Sequence, residues 1–450
     1  MFGHLDDPAG VTPGARERAR VGRRAYVLRA RRRFAAAAAS LIVVAGLAAF
    51  LVARPSTTRL ASTETGYQFN ALKDPLAVGT AVPTIALVNV VFVSDQNGFA
   101  LAAHRGHAVL AKTTDGGGTW QVQNDNLPDG YGQSGGYPGQ FEFEGSDGYL
   151  WGGSPAADGA VPLWITSDGG VSWHAAPIGK VVYDVSAIGA NVWAVAGTCS
   201  AKASESEPSA PCALTMEQSL DAGSSWHAVG TTGFAEVMSA PPSAQRVELA
   251  RITPSRSYVL TANAPIQSGV IALTYTDDGG QTWRTRPVPC DGAFDLGAEI
   301  AASGTNDLWL LCGGQASAGD QSKDLYRSAD GGLSWTLTAA ATGLGTPPPP
   351  ASQPNALPLA GYIAPYSIGH KNLAVASPST AWLYPFRIAM YKTVTGGRSW
   401  TAVPGLATAG FGSGGPGNVT FISATQGWIC QYGVGLWHTS DGVHWSPLGV

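Results

Sequence analysis

Charge is scarce in this 450-residue chain: Asp, Glu, Lys and Arg make up only 13% of it, too little for the charge-laced helices of a bundle. Cysteine is sparse as well. Cys199, Cys212, Cys290, Cys312 and Cys430 include no CxxC pair and no Cys/His cluster, which argues against a zinc site or a dithiol redox motif. There is no phosphate loop and no helical His motif for a metal, so neither a cofactor nor a metal centre is expected. In place of charge the chain carries 58 glycines, 30 prolines and 14 tryptophans, the composition of many turns joining short aromatic strands.

What charge exists is divided sharply. Residues 1–33 hold nine arginines against Asp6, Asp7 and Glu17, a net of +6, whereas residues 55–450 hold 17 Lys and Arg against 28 Asp and Glu, a net of −11. An acidic body argues against nucleic acid as a partner, because that needs a basic surface. Between the two lies FAAAAASLIVVAGLAAFLVA, Phe34 to Ala53, 20 residues without a charge. As a helix it spans about 30 Å, the thickness of a bilayer core. A cleaved signal peptide would have an apolar run of about 7–15 residues ending in small residues. This run is longer and ends in Leu51-Val52-Ala53-Arg54, so an uncleaved anchor is the expectation. The arginines before it place the N-terminus in the cytoplasm. The expected organisation is a basic cytoplasmic tail (1–33), a membrane-spanning helix (34–53), a stalk (54–82) and an extracytoplasmic domain (83–450).

Seven short stretches within that domain align. They are TTDGGGTW (113–120), TSDGGVSW (166–173), SLDAGSSW (219–226), TDDGGQTW (276–283), SADGGLSW (328–335), TVTGGRSW (393–400) and TSDGVHW (439–445). The sixth has Thr395 in place of Asp, and the seventh is one residue short with His444 before its Trp. The closing Trp residues are 53, 53, 57, 52, 65 and 45 apart. Asp-Gly and Gly-Gly between strands mark tight hairpins, since Gly accepts the positive φ these turns need and Asp bonds turn N–H groups. An aromatic strand precedes each stretch by roughly twenty residues, as at Trp193, Trp309 and Trp428, and flanking strands bring the count to four per repeat. A four-stranded unit cannot bury both faces alone, so neighbours must stack, and seven such units close into a ring. The fold expected is all-β: a seven-bladed β-propeller of four-stranded antiparallel blades, following one membrane helix. All fourteen Trp residues sit at repeat-equivalent positions and are expected in its core.

These stretches resemble the Asp-box (bacterial neuraminidase) repeats. They are most similar to those of the photosystem II stability/assembly factor-like propellers of bacteria, where a GWxxx strand is followed by T-x-DGG-x-TW. The resemblance covers roughly residues 86–450. It implies structural corners at Asp115 and Trp120, Asp168 and Trp173, Asp221 and Trp226, Asp278 and Trp283, Asp330 and Trp335, Trp400, and Asp441 and Trp445. It also implies that the corners lie on one face of the ring and that a ligand meets the opposite face. That face receives the long loops 124–140, 199–212, 313–323 and 341–366, with Tyr131, Tyr137, Tyr362 and Tyr366 as possible contacts. From their placement, Cys199–Cys212 and Cys290–Cys312 are expected disulfides, with Cys430 buried and unpaired.

Catalytic constellations are hard to find. A sialidase needs three converging arginines, and nothing marks such a set among Arg105, Arg246, Arg251, Arg256 and Arg387. Phe386-Arg387-Ile388 is followed by Ala389 and falls in the sixth repeat, so it is taken as coincidence. Other glycosidases need two carboxylates about 5–10 Å apart, and no spacing selects a pair from Asp125, Asp129, Glu142, Glu144, Glu205, Glu207, Asp291, Asp295 and Asp320. His104 and His107 lie three apart on a predicted hairpin. The expected function is therefore a non-catalytic, membrane-anchored extracytoplasmic scaffold in a bacterial cell membrane, binding a protein or a cell-envelope ligand. The alternative is a surface-anchored glycoside hydrolase.

Overall fold

In each repeat, strands two to ten residues long are separated by glycine-bearing or Ser/Thr-rich turns, so the chain folds back on itself before it can leave its own sheet. The computed structural model describes residues 76–105, 107–128, 139–152, 163–198, 211–230, 237–238, 245–263, 270–290, 295–341, 357–358, 360–363, 371–385, 388, 390–406 and 417–449. The basic tail, the 34–53 segment and the stalk up to residue 75 lie outside them. Within the described residues the strands form seven antiparallel sheets in simple meander order.

Blade 1 comprises Leu87–Phe92, Gly98–His104, His107–Thr113 and Gln121–Asn124, and blade 2 Gln140–Glu144, Asp147–Trp151, Trp164–Thr166 and His174–Ala175. Blade 3 comprises Val181–Ile188, Asn191–Thr198, Pro211–Ser219 and His227–Ala228, with Val237–Met238 added beside its third strand. Blade 4 is Gln245–Arg251, Ser257–Asn263, Val270–Thr276 and Arg284–Arg286, and blade 5 Asp295–Ala302, Leu308–Ser317, Asp320–Ser328 and Thr336–Ala341. Blade 6 is Leu373–Val375, Ala381–Leu383, Tyr391–Thr393 and Thr401–Ala402, and blade 7 Gly417–Phe421, Gly427–Gln431, Gly435–Thr439 and Ser446–Leu448. The first strand of every blade touches the first strands on both sides, blade 7 meeting blade 1, so seven innermost strands surround one axis. The protein is an all-β, seven-bladed propeller.

Its core is divided accordingly into seven clusters, each shared by two neighbouring blades. The second-strand aromatics fill them: Trp193, Trp309, Trp382 and Trp428 are fully buried. Where a first strand has Phe at or next to its end, that ring stacks on the aromatic of the preceding blade: Phe92 on Trp428 at 3.7 Å, Phe143 on Phe99 at 3.7 Å and Phe421 on Trp382 at 3.9 Å. The facing second strand then has Gly as its first residue (Gly98, Gly427) or its second (Gly148, opposite the penultimate Phe143), since a Cβ there would lie within 2.8 Å of the Phe ring. Not all fourteen tryptophans share this burial. Trp164, Trp173, Trp226, Trp335, Trp400 and Trp437 are only half-buried, because they lie at the outer strands and corners, where one side of the ring meets solvent.

Each corner is closed by its own side chains. In blade 1, Thr113 Oγ1 donates to Asp115 Oδ1 (2.7 Å) and accepts the Gly117 N–H (3.0 Å). Asp115 also accepts the Thr119 N–H (2.9 Å) and hydroxyl (2.7 Å), and Trp120 Nε1 donates to Gly117 O (3.1 Å). The hydroxyl and carboxylate bonds recur at Asp168, Asp221, Asp278 and Asp330; the indole bond recurs at Trp173 and Trp226, whereas Trp335 Nε1 donates to Pro287 O (2.8 Å). In blade 7, His444 Nδ1 takes the place of the hydroxyl, 2.6 Å from Asp441 Oδ2. The second glycine is obligatory: at Gly170 (φ 86°) a Cβ would fall 2.1 Å from Leu110 of blade 1. In blade 6 the single Thr395 hydroxyl accepts the Ser399 N–H (2.9 Å) and meets the Ser399 hydroxyl (2.8 Å) and, more distantly, the Thr393 hydroxyl (3.3 Å). Thr395→Asp should therefore stabilise the protein by about 0.5–1.5 kcal/mol, read as a higher urea midpoint at unchanged slope.

Two boundaries differ from the sequence reading. Residues 79–82, assigned to the stalk, pair with the last strand of blade 1 (Gly79 N–H to Val122 O 2.8 Å, Val82 N–H to Trp120 O 2.9 Å), because a propeller's outer edge offers unpaired backbone groups. The long loop expected over 313–323 is instead a hairpin extension closed at Ala318-Gly319. Both residues have positive φ (54° and 99°), which matches the twist of the flanking strands.

Candidate functional site

A polar group inside an apolar strand is costly unless it is hydrogen-bonded, yet every innermost strand carries one. At one register stand Asn89, Gln140, Asp184, Glu248, Glu299, Asn372 and Asn418, each opposite the residue two places after the second-strand aromatic of its blade. Four of these side chains reach the next blade, while Asn372 Nδ2 donates to Tyr384 O of its own blade (2.9 Å). Asp184 accepts the Leu249 N–H (2.7 Å) and Glu248 the Ile300 N–H (3.0 Å). Glu299 accepts both the Asn372 (3.0 Å) and the Leu373 (2.9 Å) N–H. Asn418 closes the ring, accepting from Val90 N–H (2.9 Å) and donating to Val90 O (2.8 Å). Between blades 2 and 3 the link is Glu142, whose Oε1 accepts the Ala187 N–H (3.2 Å). Five of the seven junctions are thus stitched by side chains on the axis.

Four of these groups are carboxylates, and Lys371, just before Asn372, lies among them. Its side chain keeps access to solvent; the protein crowded around it would weaken the ammonium, but Glu248, Asp184, Glu142 and Glu299 outweigh that and hold its pKa above the ordinary lysine value. Burial pushes the Glu142 carboxyl up to about 7 and the Asp184 carboxyl up to about 6, each only partly relieved by its N–H partners and by Lys371. The cluster therefore carries one fixed positive charge, surplus negative charge and two carboxyls that exchange protons near neutrality. Such a site can hold a cationic group or shuttle a proton. It sits near the start of the first strands, on the side of the ring opposite the corners and facing the longer connections. Replacing Glu299 by Gln puts an NH2 against one of two buried N–H donors. The cost should be about 1–3 kcal/mol, measured by urea denaturation.

Of the carboxylates weighed from the sequence, Glu142 alone among the described residues joins this cluster; Asp129, Glu205, Glu207 and Asp291 lie outside the described residues. The corner aspartates are at the opposite face. Asp168, Asp221, Asp278 and Asp330 are held at about 2, chiefly by the Ser or Thr hydroxyl four residues on. No arginine triad forms among the described residues. Arg251 stacks on Trp193 (4.6 Å) and donates to Ser186 O and Asn191 O, while Arg256 donates to Thr305 O and Asn306 in a turn. On the loop-bearing side, Cys290 and Cys312 form a disulfide (S–S 2.00 Å) between the connection after blade 4 and the second strand of blade 5. With Asp295 they are the only convergence of three possible metal ligands among the described residues, and the bridge consumes both thiols. Cys430 is buried and unpaired. Tyr362 is half-buried in a segment pinned by Lys323, whose Nζ donates to Gln321 O (2.9 Å), Pro358 O (3.0 Å) and Ala360 O (3.3 Å). Tyr131, Tyr137, Tyr366 and Cys199 lie outside the described residues, as does the Cys212 side chain. No helix among the described residues is long and apolar enough to cross a membrane.

No known protein family matches the chain, and no curated protein sequence does. Solved structures do. YCF48 bound to D1 peptide is similar at a TM-score of 0.50 and 15% identity, covering 83% of this chain and 99% of that one. YCF48 from Cyanidioschyzon merolae has a TM-score of 0.46 and 12% identity, covering 81% and 99%. A polysaccharide lyase, ulvan lyase bound to -[GlcA(1-4)Rha3S]-, has a TM-score of 0.49 and 8% identity, covering 80% and 96%. At these identities the likeness is one of fold. It corrects one expectation: with enzymes among the structures of similar fold, the reading of this chain as not an enzyme does not stand.

Proposed function

We propose that this chain is a membrane-anchored propeller that docks a segment of a protein partner on the face opposite its corners, over the axial charge cluster. The observation that supports this reading most is the cluster itself: Glu142, Asp184, Glu248 and Glu299 around Lys371, at the end of the ring where the long connections emerge. A propeller of similar fold, YCF48, has been solved with a D1 peptide bound. In this reading residues 34–53 hold the ring on the outer side of a bacterial membrane, with the arginine-rich tail in the cytoplasm. The test places a photo-crosslinking residue at Tyr362 or at Val394, an exposed corner position, in the full-length chain in native membranes. Protein adducts from position 362 and none from 394 are expected; adducts from 394 alone, or from neither, would overturn the reading.

A second reading, a surface-anchored glycoside hydrolase, is favoured by one observation: the Asp184 charge acts on Glu142, and burial raises the pKa of both. Such a pair suits acid–base work on a glycosidic bond. Under it, hydrolysis of an oligosaccharide panel is lost in Glu142→Gln while the protein remains folded. An unchanged rate in that variant removes the reading.

A further inference from the structure

We propose that His104 and His107 of blade 1 form a binding site for a divalent transition-metal ion of the Zn2+ class. The two residues end the second strand and begin the third, and they pair directly across the hairpin. Residues opposite one another in an antiparallel pair project to the same face, so both imidazoles leave the sheet together. Their ring centres are 5.3 Å apart with planes at 84°. Two imidazoles sharing one tetrahedral ion, with metal–nitrogen bonds of about 2.0–2.1 Å, bring their ring centres to roughly 5 Å. The hairpin thus holds the rings at chelating separation before any ion arrives. The turn that sets this spacing has only two residues, and Arg105 in it takes a positive φ of 43°.

A second observation points to a ligand. His107 Nε2 is buried and has no hydrogen-bond partner among the described residues. A ring nitrogen withdrawn from water without a partner is normally satisfied by a proton acceptor, a donor or a metal. Negative charge is also supplied. Asp125, at the end of the fourth strand, lies near enough for its charge to act on His107, and the Leu76 N–H fixes its carboxylate. Two imidazoles with a nearby carboxylate suit Zn2+, Ni2+ or Cu2+; Mg2+ and Ca2+ call for oxygen ligands. Water completes the coordination.

The full-length chain in detergent, stripped with a chelator, is titrated with Zn2+ and, separately, with Cu2+ followed by electron paramagnetic resonance. The expected result is one saturable Zn2+ equivalent, weakened at least about tenfold by His104→Ala and by His107→Gln but not by His174→Ala, an exposed histidine on blade 2. The Cu2+ spectrum should show coupling to two imidazole nitrogens in the wild type and to one in each pair variant. His107→Gln keeps the volume and a donor, so a metal-free melting temperature near the wild type's separates lost ligation from lost folding. Absence of saturable Zn2+ binding in the wild type, equal affinity in the pair variants, or a single-nitrogen Cu2+ spectrum would overturn the proposal.

Discussion

Trp428→Ala should lower the unfolding free energy by about 3–5 kcal/mol, the range for truncating a fully buried Trp. The position makes the upper end of that range the expectation. Trp428 is inaccessible to solvent, stacks on Phe92 at 3.7 Å with planes 6° apart, and donates Nε1 to Gly116 O at 2.9 Å. Both partners belong to blade 1, so one side chain carries much of the contact by which the last blade meets the first. Truncation opens a cavity at that junction and leaves the Gly116 carbonyl without its donor. Trp437, half-buried on the next strand of the same blade, provides the comparison: its truncation should cost clearly less. Urea denaturation reads both through the midpoint, with the slope checking that the unfolded states match. A loss below about 1 kcal/mol for Trp428→Ala would mean that the junction is not closed as described.

The corners were legible because several local requirements coincide in eight residues. A hydroxyl, a carboxylate, a glycine at positive φ and a tryptophan recur seven times with few departures, and each departure has its substitute: Thr395 with Ser399, His444 with Asp441. The pairing of a Phe at or next to the end of the first strand with a Gly at or next to the start of the second in blades 1, 2 and 7 could have been read as well, since the Gly is set by the ring it faces. The axial cluster was not legible. A lone Asp or Glu in an apolar strand looks like an interruption, and its partner is a backbone N–H one blade away, invisible in any local window. Spacing held a signal all the same. Asn89, Glu248, Glu299, Asn372 and Asn418 each stand ten residues before Phe99, Tyr258, Trp309, Trp382 and Trp428. Aligning the repeats on those aromatics, in place of the corners, brings the polar ring into register. The catalytic question was beyond reach for a different reason: a fold does not fix a function, and the residues that would decide it lie at an axis assembled from all seven repeats.

The axial carboxyls also make stability depend on pH in an unusual sense. Glu142 and Asp184 have folded-state values of about 7 and about 6, above the ordinary 4.5 and 3.8. Between those limits the folded protein holds protons that the unfolded chain has released, so stability falls as pH rises through the window. Their contribution is fully present below about pH 4 and lost above about pH 7, a change on the order of 3 kcal/mol for each group at 1.36 kcal/mol per unit. The corner aspartates act in the opposite direction at lower pH. Those held at about 2 contribute above about pH 4 and lose their contribution toward pH 2. Maximum stability should therefore fall near pH 4–5, below the usual range. His438 and His107, whose pKa values burial lowers, work against the decline between their folded values and 6.5, and Lys323, lowered by burial to about 7, does so above that, so the wild-type curve alone mixes opposing trends. Glu142→Gln separates them: it removes a titrating group while keeping an oxygen for the Ala187 N–H. That variant should gain stability at pH 7.5 relative to wild type, gain little or lose at pH 4.5, and flatten the slope between. Stability that climbs from pH 5 to 7.5 in the wild type, or an unchanged slope in Glu142→Gln, would show that these carboxyls ionise freely and that the axis is open to water along its length.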